Sequence, residues 1–177
     1  DRMFDMGFLP DVKRVIKAVP EQRQTMLFSA TFPAEVEQLA GQSLIEPQKI
    51  AMGISKPAVT VSHALYPVPQ HLKTGLLLRL LKQTDSDSVL VFVRTKHRAD
   101  KVAKQIAHAG HRVTSLHGNR TQGQREHALH GFKTGHFHIM VATDIAARGL
   151  DIDSITHVIN YDMPDTADAY IHRIGRT

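Results

Sequence analysis

The chain has 177 residues, 42% of them hydrophobic and 22% charged, with a formal net charge of +5 and no cysteine. That length can bury a sizeable core in one large domain or two partial ones. The lack of cysteine excludes disulfides and thiolate metal sites and fits an intracellular protein; no apolar run reaches the length of a membrane span, and no signal-peptide pattern opens the chain.

The charge is unevenly placed. Residues 1–57 hold 7 Lys+Arg and 7 Asp+Glu, so residues 58–177, with 15 and 10, carry the whole excess. A polyanionic partner for the second part is one reading of that excess, and plain solubility is the other.

Near the start, Val12, Val15, Ile16 and Val19 recur at i, i+3, i+4 and i+7, which predicts an amphipathic helix ended by Pro20. Residues 25–28 read as a short buried strand running into Ser29-Ala30-Thr31. A second helix follows Pro33 with Val36, Leu39, Ala40 and Leu44 facing inward, and residues 48–52 are read as a closing strand. Residues 53–57, GISKP, carry no periodicity and form the linker candidate.

The second unit opens with alternating Val59, Val61, His63 and Leu65, then a Leu-rich helix over residues 71–83 and a polar turn. Residues 89–93 form a buried strand. The helix over residues 96–109 places Ala99, Val102, Ala103, Ile106 and Ala107 on one face, and Gly110 stops it. Residues 113–116 give the next strand. Thr121-x-x-Gln124 predicts a capping box, opening a helix with Ala128, Leu129 and Phe132 inside and Gly135 at its end. Strands at 139–142 and 157–161 and a helix from Thr166 complete the alternation. Strands and helices at this spacing predict an α/β fold, a parallel sheet with helices on both faces.

The stretch HIMVATDIAARGLDID, residues 138–153, sets Thr143 and Asp144 at the carboxyl end of a buried strand. Ligands of parallel sheets bind there, although strand-end Thr and Asp also serve as turn caps. In YIHRIGRT, residues 170–177, a helix continuing to Arg176 would bring His172, Arg173 and Arg176 to one face. Guanidinium forks on one face suit phosphate oxygens, and a solvated helix face is the alternative. The chain has 12 histidines but no H-E-x-x-H spacing, so surface histidines rather than a structural metal are expected. No G-x-x-x-x-G-K-[ST] loop is present.

TDIAARGLDI followed by YIHRIGRT resembles motifs V and VI of the DEAD-box ATP-dependent RNA helicases. Asp1-Arg2-Met3 resembles the tail of the DEAD motif, Ser29-Ala30-Thr31 motif III, and residues 89–96, VLVFVRTK, motif IV. His117-Gly118, with Gln122 and Arg125 in QGQR, is similar to the HG and QxxR elements. PVPQHLK, residues 67–73, is most similar to the bacterial RhlE-type branch. The resemblance covers essentially the whole chain.

This resemblance implies RecA-like parallel sheets with helices on both faces. Residues 1–52 would be the C-terminal part of the first, ATP-binding domain, residues 53–57 the linker, and residues 58–177 the second domain, truncated at its end. It implies ATP hydrolysis coupled to local RNA unwinding, with ATP and Mg2+ as cofactors, RNA as partner, no membrane and a cytoplasmic location. Arg176 would reach the γ-phosphate across the interdomain cleft, Arg173 and His172 would organise that cleft, and Asp1 would be the motif's last aspartate. Ser29 and Thr31 would couple ATP state to domain closure. Asp151 would meet the ribose, with Gly149 beside it. Thr95, Gly118, Gln122, Arg125, Thr143 and Arg148 would hold the RNA backbone without reading bases.

Asn119 and Arg120 depart from the family, which often has acidic or small residues there, and raise the local positive charge. Without a P-loop the segment alone is expected to lack ATPase activity, and its ends, which cut through motifs, suggest part of a longer protein. A non-catalytic RNA- or protein-binding module on the same fold and a DNA-acting helicase of the same superfamily remain alternatives.

Overall fold

The structure, a computed structural model, describes residues 8–29, 32, 34–50, 61–84, 87–147, 152 and 155–176. The chain divides into two units, Asp1–Ile54 and Ser55–Thr177.

In the first unit, helix α1 spans Leu9–Ala18, with Pro10 in its first turn where the missing N–H costs nothing. Asp11 near its start and Lys17 near its end both suit the helix dipole. The apolar stripe forms as the spacing predicts, yet no residue of α1 is buried. Helix α2, Ala34–Ser43, does bury Val36, Leu39 and Ala40. The two strands expected here are absent among the described residues: 25–28 and 48–50 are unpaired, and Phe28 is 85% exposed. Residues 51 and 52 lie outside the described residues. A strand needs a neighbour for its N–H and C=O groups, and the described part of this unit supplies none.

In the second unit residues 61–69 likewise form no strand; Pro67 and Pro69 remove two of their donors. Val59, the first residue of the expected alternation, lies outside the described residues. A short 3-10 turn, Gln70–Leu72, leads into α3, Lys73–Gln83. Strand β1, Val89–Phe92, is followed by α4, Lys96–His108, and β2, Val113–Leu116, by α5, Gln122–Lys133. Strand β3, Ile139–Ala142, runs into the single turn α6, Asp144–Ala147, and β4, His157–Asn160, precedes α7, Ala167–Ile174.

Local chemistry sets these boundaries. Thr95 caps α4 by accepting from the Arg98 N–H at 3.2 Å, and Thr166 caps α7 by accepting from Ala169 at 3.2 Å. The capping box is present: Gln124 N–H donates to Thr121 Oγ1 at 3.3 Å, and the Gln124 side chain accepts from Thr121 N–H at 3.1 Å. Gly110 and Gly135, at φ +90° and +73°, stop α4 and α5 in the left-handed region that glycine tolerates.

The strands lie in the order β2-β3-β1-β4, all parallel, with Val89 opposite both Ile139 and His157 and Val113 opposite Ile139. Alternate strand residues feed two cores. Val89, Val91, Val93, Ile139 and Val141 pack with Leu77, Leu81, Ala99, Val102 and Ile106 of α3 and α4. Leu90, Phe92, Leu116, Met140 and Ala142 pack with Ala128 and Phe132 of α5 and Ala146 and Ala147 of α6. Covering both faces is why β1 and β3 read as unbroken apolar runs rather than alternating ones.

One glycine in this packing is sterically required. A Cβ on Gly131 of α5 would stand 2.6 Å from the Phe137 ring. Alanine gains about 1 kcal/mol of helix propensity over glycine, whereas overpacking costs about 1–3 kcal/mol. Gly131→Ala should therefore lower the melting temperature of the chain, and an unchanged or higher value would mean that the clash costs no more than the propensity gain.

Candidate functional site

After β1 the chain passes to the face covered by α4, and after the neighbouring β3 to the face covered by α6. The connections part between these two strands, the arrangement that opens a ligand crevice at the strands' carboxyl ends. A recess lies there, lined by Phe92, Asp144, Ala147, Ala169, His172, Arg173 and Arg176.

Arg173 forms the back of the recess and is 3% exposed. Its Nε and Nη2 donate to the two carboxylate oxygens of Asp144 at 2.6 and 2.8 Å. Its Nη1 donates to Asn160 Oδ1 at 2.8 Å and to the Asp162 carbonyl at 2.6 Å. The guanidinium also lies 4.9 Å over the Phe92 ring. Arg173 thus links α6, α7 and the end of β4.

His172 and Arg176 line the same recess. The helix expected to run through Arg176 ends sooner: α7 closes at Ile174 with Gly175 as its C-cap, and Arg176 follows in a turn whose N–H donates to the Arg173 carbonyl at 3.3 Å. Glycine's poor helix propensity ends the helix there, and the turn keeps Arg176 beside Arg173.

Thr95, Gly118 and Thr143 stand just beyond β1, β2 and β3, at the carboxyl edge of one sheet. The Thr143 N–H donates to Leu116 O at 3.2 Å, and its carbonyl accepts from Ala146 and Ala147 at 3.1 and 3.0 Å, starting α6. Gln122 and Arg125 sit in the first turn of α5, where the Gln122 side chain donates to Glu126 at 2.8 Å. Nothing lies within 4 Å of the place a Gly118 Cβ would occupy, so that backbone is open to a ligand.

The two departures from the family pattern both have partners. Asn119 Oδ1 accepts from Lys96 Nζ at 3.0 Å, joining the turns after β1 and β2. Arg120 donates to Asp100 Oδ1 at 3.1 Å and to Ser115 Oγ at 2.6 Å, so its charge is balanced rather than added to the surface. Ser115 and the buried His117 also meet Asp100 Oδ1, each at 3.0 Å. Burial alone raises the Asp100 pKa, but hydrogen bonds from His117 and Ser115 and the charges of His117 and Arg120 together hold it below the ordinary carboxylate value.

Ser29 is half-buried in the first unit. Asp1, Thr31, Arg148, Gly149 and Asp151 lie outside the described residues. Sequence reasoning missed Asp162, Asn160 and Asp100. The first two carry the same signal as Thr143, polar residues at a strand's carboxyl end; nothing local marks Asp100, which sits one turn into a helix.

Residues 72–177 match the family described as the helicase conserved C-terminal domain, and residues 1–39 match the DEAD/DEAH box helicase family. The chain belongs to the DEAD-box ATP-dependent RNA helicase family. It is 44% identical to the RNA helicase CrhR of Synechocystis sp., a match covering all of this chain and 36% of that protein. To DEAD-box ATP-dependent RNA helicase 30 of Arabidopsis thaliana it is 45% identical, over the whole chain and 30% of that protein. The chain therefore spans about a third of these relatives' length. Among solved structures, S. cerevisiae Dbp5 bound to RNA and ADP BeF3 matches with a TM-score of 0.86 at 29% identity, covering 99% of this chain and 47% of that one. The parallel sheet with helices on both faces is accordingly the RecA-like fold of DEAD-box helicases.

A carboxylate with a depressed folded pKa contributes stability at pH values above its unfolded pKa and loses it as pH falls through the folded value. Asp100→Asn should therefore lower the melting temperature at neutral pH and flatten its fall as pH drops below the unfolded carboxylate value of about 4. Parallel pH profiles for the two proteins would show that Asp100 carries no such linkage.

Proposed function

We propose that the protein containing this chain is an ATP-dependent RNA helicase that couples ATP hydrolysis to local unwinding of RNA duplexes. Residues 1–52 belong in this reading to the first RecA-like domain, 53–57 to a linker and 58–177 to the second, helicase C-terminal domain. The observation that carries it is the recess at the strands' carboxyl ends, with Arg173 held from behind by Asp144, Asn160 and Asp162 and Arg176 in its lining. The PVPQHLK wording of residues 67–73 supports placement near the bacterial RhlE-type branch. No helix among the described residues is long and apolar enough to cross a membrane; a cytoplasmic location rests on the family resemblance.

The Arg176 guanidinium at the recess fits the phosphate end of a nucleotide. Among the described residues no three His, Asp or Glu side chains gather to hold a cation, so Mg2+ would depend on residues such as Asp1. Bound ATP would supply phosphoryl transfer. Arg173 keeps the recess in register, His172 lines it, and Arg176 supplies positive charge where the transferred phosphoryl oxygens gain negative charge. Asp151 and Gly149 are assigned to the ribose side. Ser29 and Thr31 are assigned to coupling.

The RNA side uses Thr95, Gly118, Gln122, Arg125, Thr143 and Arg148. Backbone N–H groups at strand ends and helix starts point toward phosphates and carry no base information. Binding should therefore be independent of sequence and weaken with salt.

The test is made on the full-length protein. RNA, but not single-stranded DNA of the same sequence, should stimulate its ATPase. Arginine fingers are worth about 10³–10⁵ in kcat; the family resemblance implies another arginine after the next glycine of this motif that shares the load, so Arg176→Ala should lower kcat at saturating RNA by about 10²-fold or more. Lys should rescue poorly, because a point charge lacks the planar fork, and RNA affinity without nucleotide should hold. Near-wild-type kcat with lost RNA affinity would make Arg176 an RNA contact and overturn the phosphate role.

A further inference from the structure

Asp162 stands two residues beyond β4 and is only 5% exposed. Its N–H donates to the Phe92 carbonyl at 3.2 Å, fastening it to the end of β1. Its carboxylate turns toward the β1–α4 connection. Oδ2 accepts the backbone N–H of Arg94 at 2.9 Å, Oδ1 accepts Arg98 Nη1 at 2.6 Å, and Lys73 Nζ lies 3.8 Å from Oδ1. Its carbonyl turns the other way and accepts Arg173 Nη1 at 2.6 Å.

One residue therefore grips two separate parts of the site. On one side is the turn that carries Thr95, flanked directly by Arg94. On the other is the buried arginine that holds Asp144 and the base of α7, from which Arg176 follows. Burying a carboxylate is costly unless it is paired and hydrogen-bonded. Joining β1 to α4 does not require that expense, since a capped turn suffices and Thr95 already supplies the cap. The charge is needed to hold a backbone N–H and two cations from α3 and α4 to one point, while the same residue's carbonyl fixes Arg173. The turn and Arg173 therefore share one residue as a bonding partner.

We infer that Asp162 is a positioning residue that couples the RNA-facing β1–α4 turn to the phosphate-facing recess, so that occupancy of either raises affinity at the other. The inference rests on the helicase reading given above. Coupling of this kind is reciprocal and is measured as a ratio of affinities; intermediacy in space is not enough to establish it.

The experiment uses the full-length protein and a fluorescein-labelled single-stranded oligouridine RNA. Its affinity is measured without nucleotide and with ADP-beryllium fluoride, and the ratio of the two is the coupling. Asp162→Asn keeps the shape and one acceptor for the Arg94 N–H but cannot balance Arg98 and Lys73. Against coupling factors of about 5–150 for allosteric sites, the ratio should fall about fivefold or more. A residue that merely supports the fold would weaken both affinities in parallel and leave the ratio unchanged, which would overturn the inference. Should Asp162→Asn fail to give a cooperative melt, Arg98→Gln carries the test. The Arg98 side chain is 38% exposed, and its loss removes the 2.6 Å bond from the surface side. Its ratio must fall as well, and an unchanged ratio overturns the inference. A wild-type protein with no nucleotide dependence of RNA affinity would remove the helicase reading and this inference together; wild-type coupling with unaffected variants removes this inference alone.

Discussion

Each guanidinium nitrogen of Arg173 meets a protein oxygen within 2.8 Å, and the group's central carbon lies over the Phe92 ring. A buried cation without acceptors would cost far more than the unit could sustain, so these oxygens must stand where they do whenever the domain is folded. The consequence is geometric. Asp144 begins a helix of only four residues, too short to persist by itself. Its position is set by the two-pronged bond to Arg173 and by burial of Ala146 and Ala147 under the sheet. The same guanidinium ties the end of β4 to α7. The wall of the recess is therefore built from three chain segments pulled onto one side chain.

The carboxyl edge of the sheet follows a related rule. Thr95, Thr121 and Thr166 cap helices with their hydroxyls, and Thr143 opens α6 with its carbonyl. Their backbones are thereby held at the start of helices, where N–H groups face outward and suit phosphate oxygens. Asp100 gathers donors from β2 and the turn beyond it, and Asp162 gathers them from the β1–α4 turn and from α3 and α4. Two carboxylates thus stiffen the two flanks of the edge.

The fold of the second unit could be read closely from its sequence because its signals are local. Residues 89–92, 113–116 and 139–142 are short apolar or β-branched runs, Thr121 and Gln124 have capping-box spacing, and Gly110 and Gly135 fall at helix ends. Residues 25–28 and 48–50, where the sequence predicts strands, show the limit of such signals: β propensity yields a strand only where a second strand takes up the hydrogen bonds. The recess was legible in part. Thr143 and the arginines of YIHRIGRT drew attention through strand-end position and helical spacing, and the family resemblance gave them roles. That Arg173 would be locked onto Asp144, 29 residues earlier, and onto Asn160 and Asp162 could not be read, because such pairings depend on the strand order β2-β3-β1-β4 rather than on any local pattern.

The dependence of the recess on Arg173 can be measured by amide hydrogen exchange on the chain carrying Arg173→Lys. A lysine keeps the charge but cannot span two carboxylate oxygens, an amide oxygen and a carbonyl at once. Local opening should then be confined to the segments that Arg173 holds. The amides of Ala146 and Ala147 in α6 and of Tyr170 in α7 should exchange about tenfold faster or more, while those of β2 and α5 keep their protection. Unchanged exchange at Ala146 and Ala147, or a uniform rise across all four strands, would contradict the account.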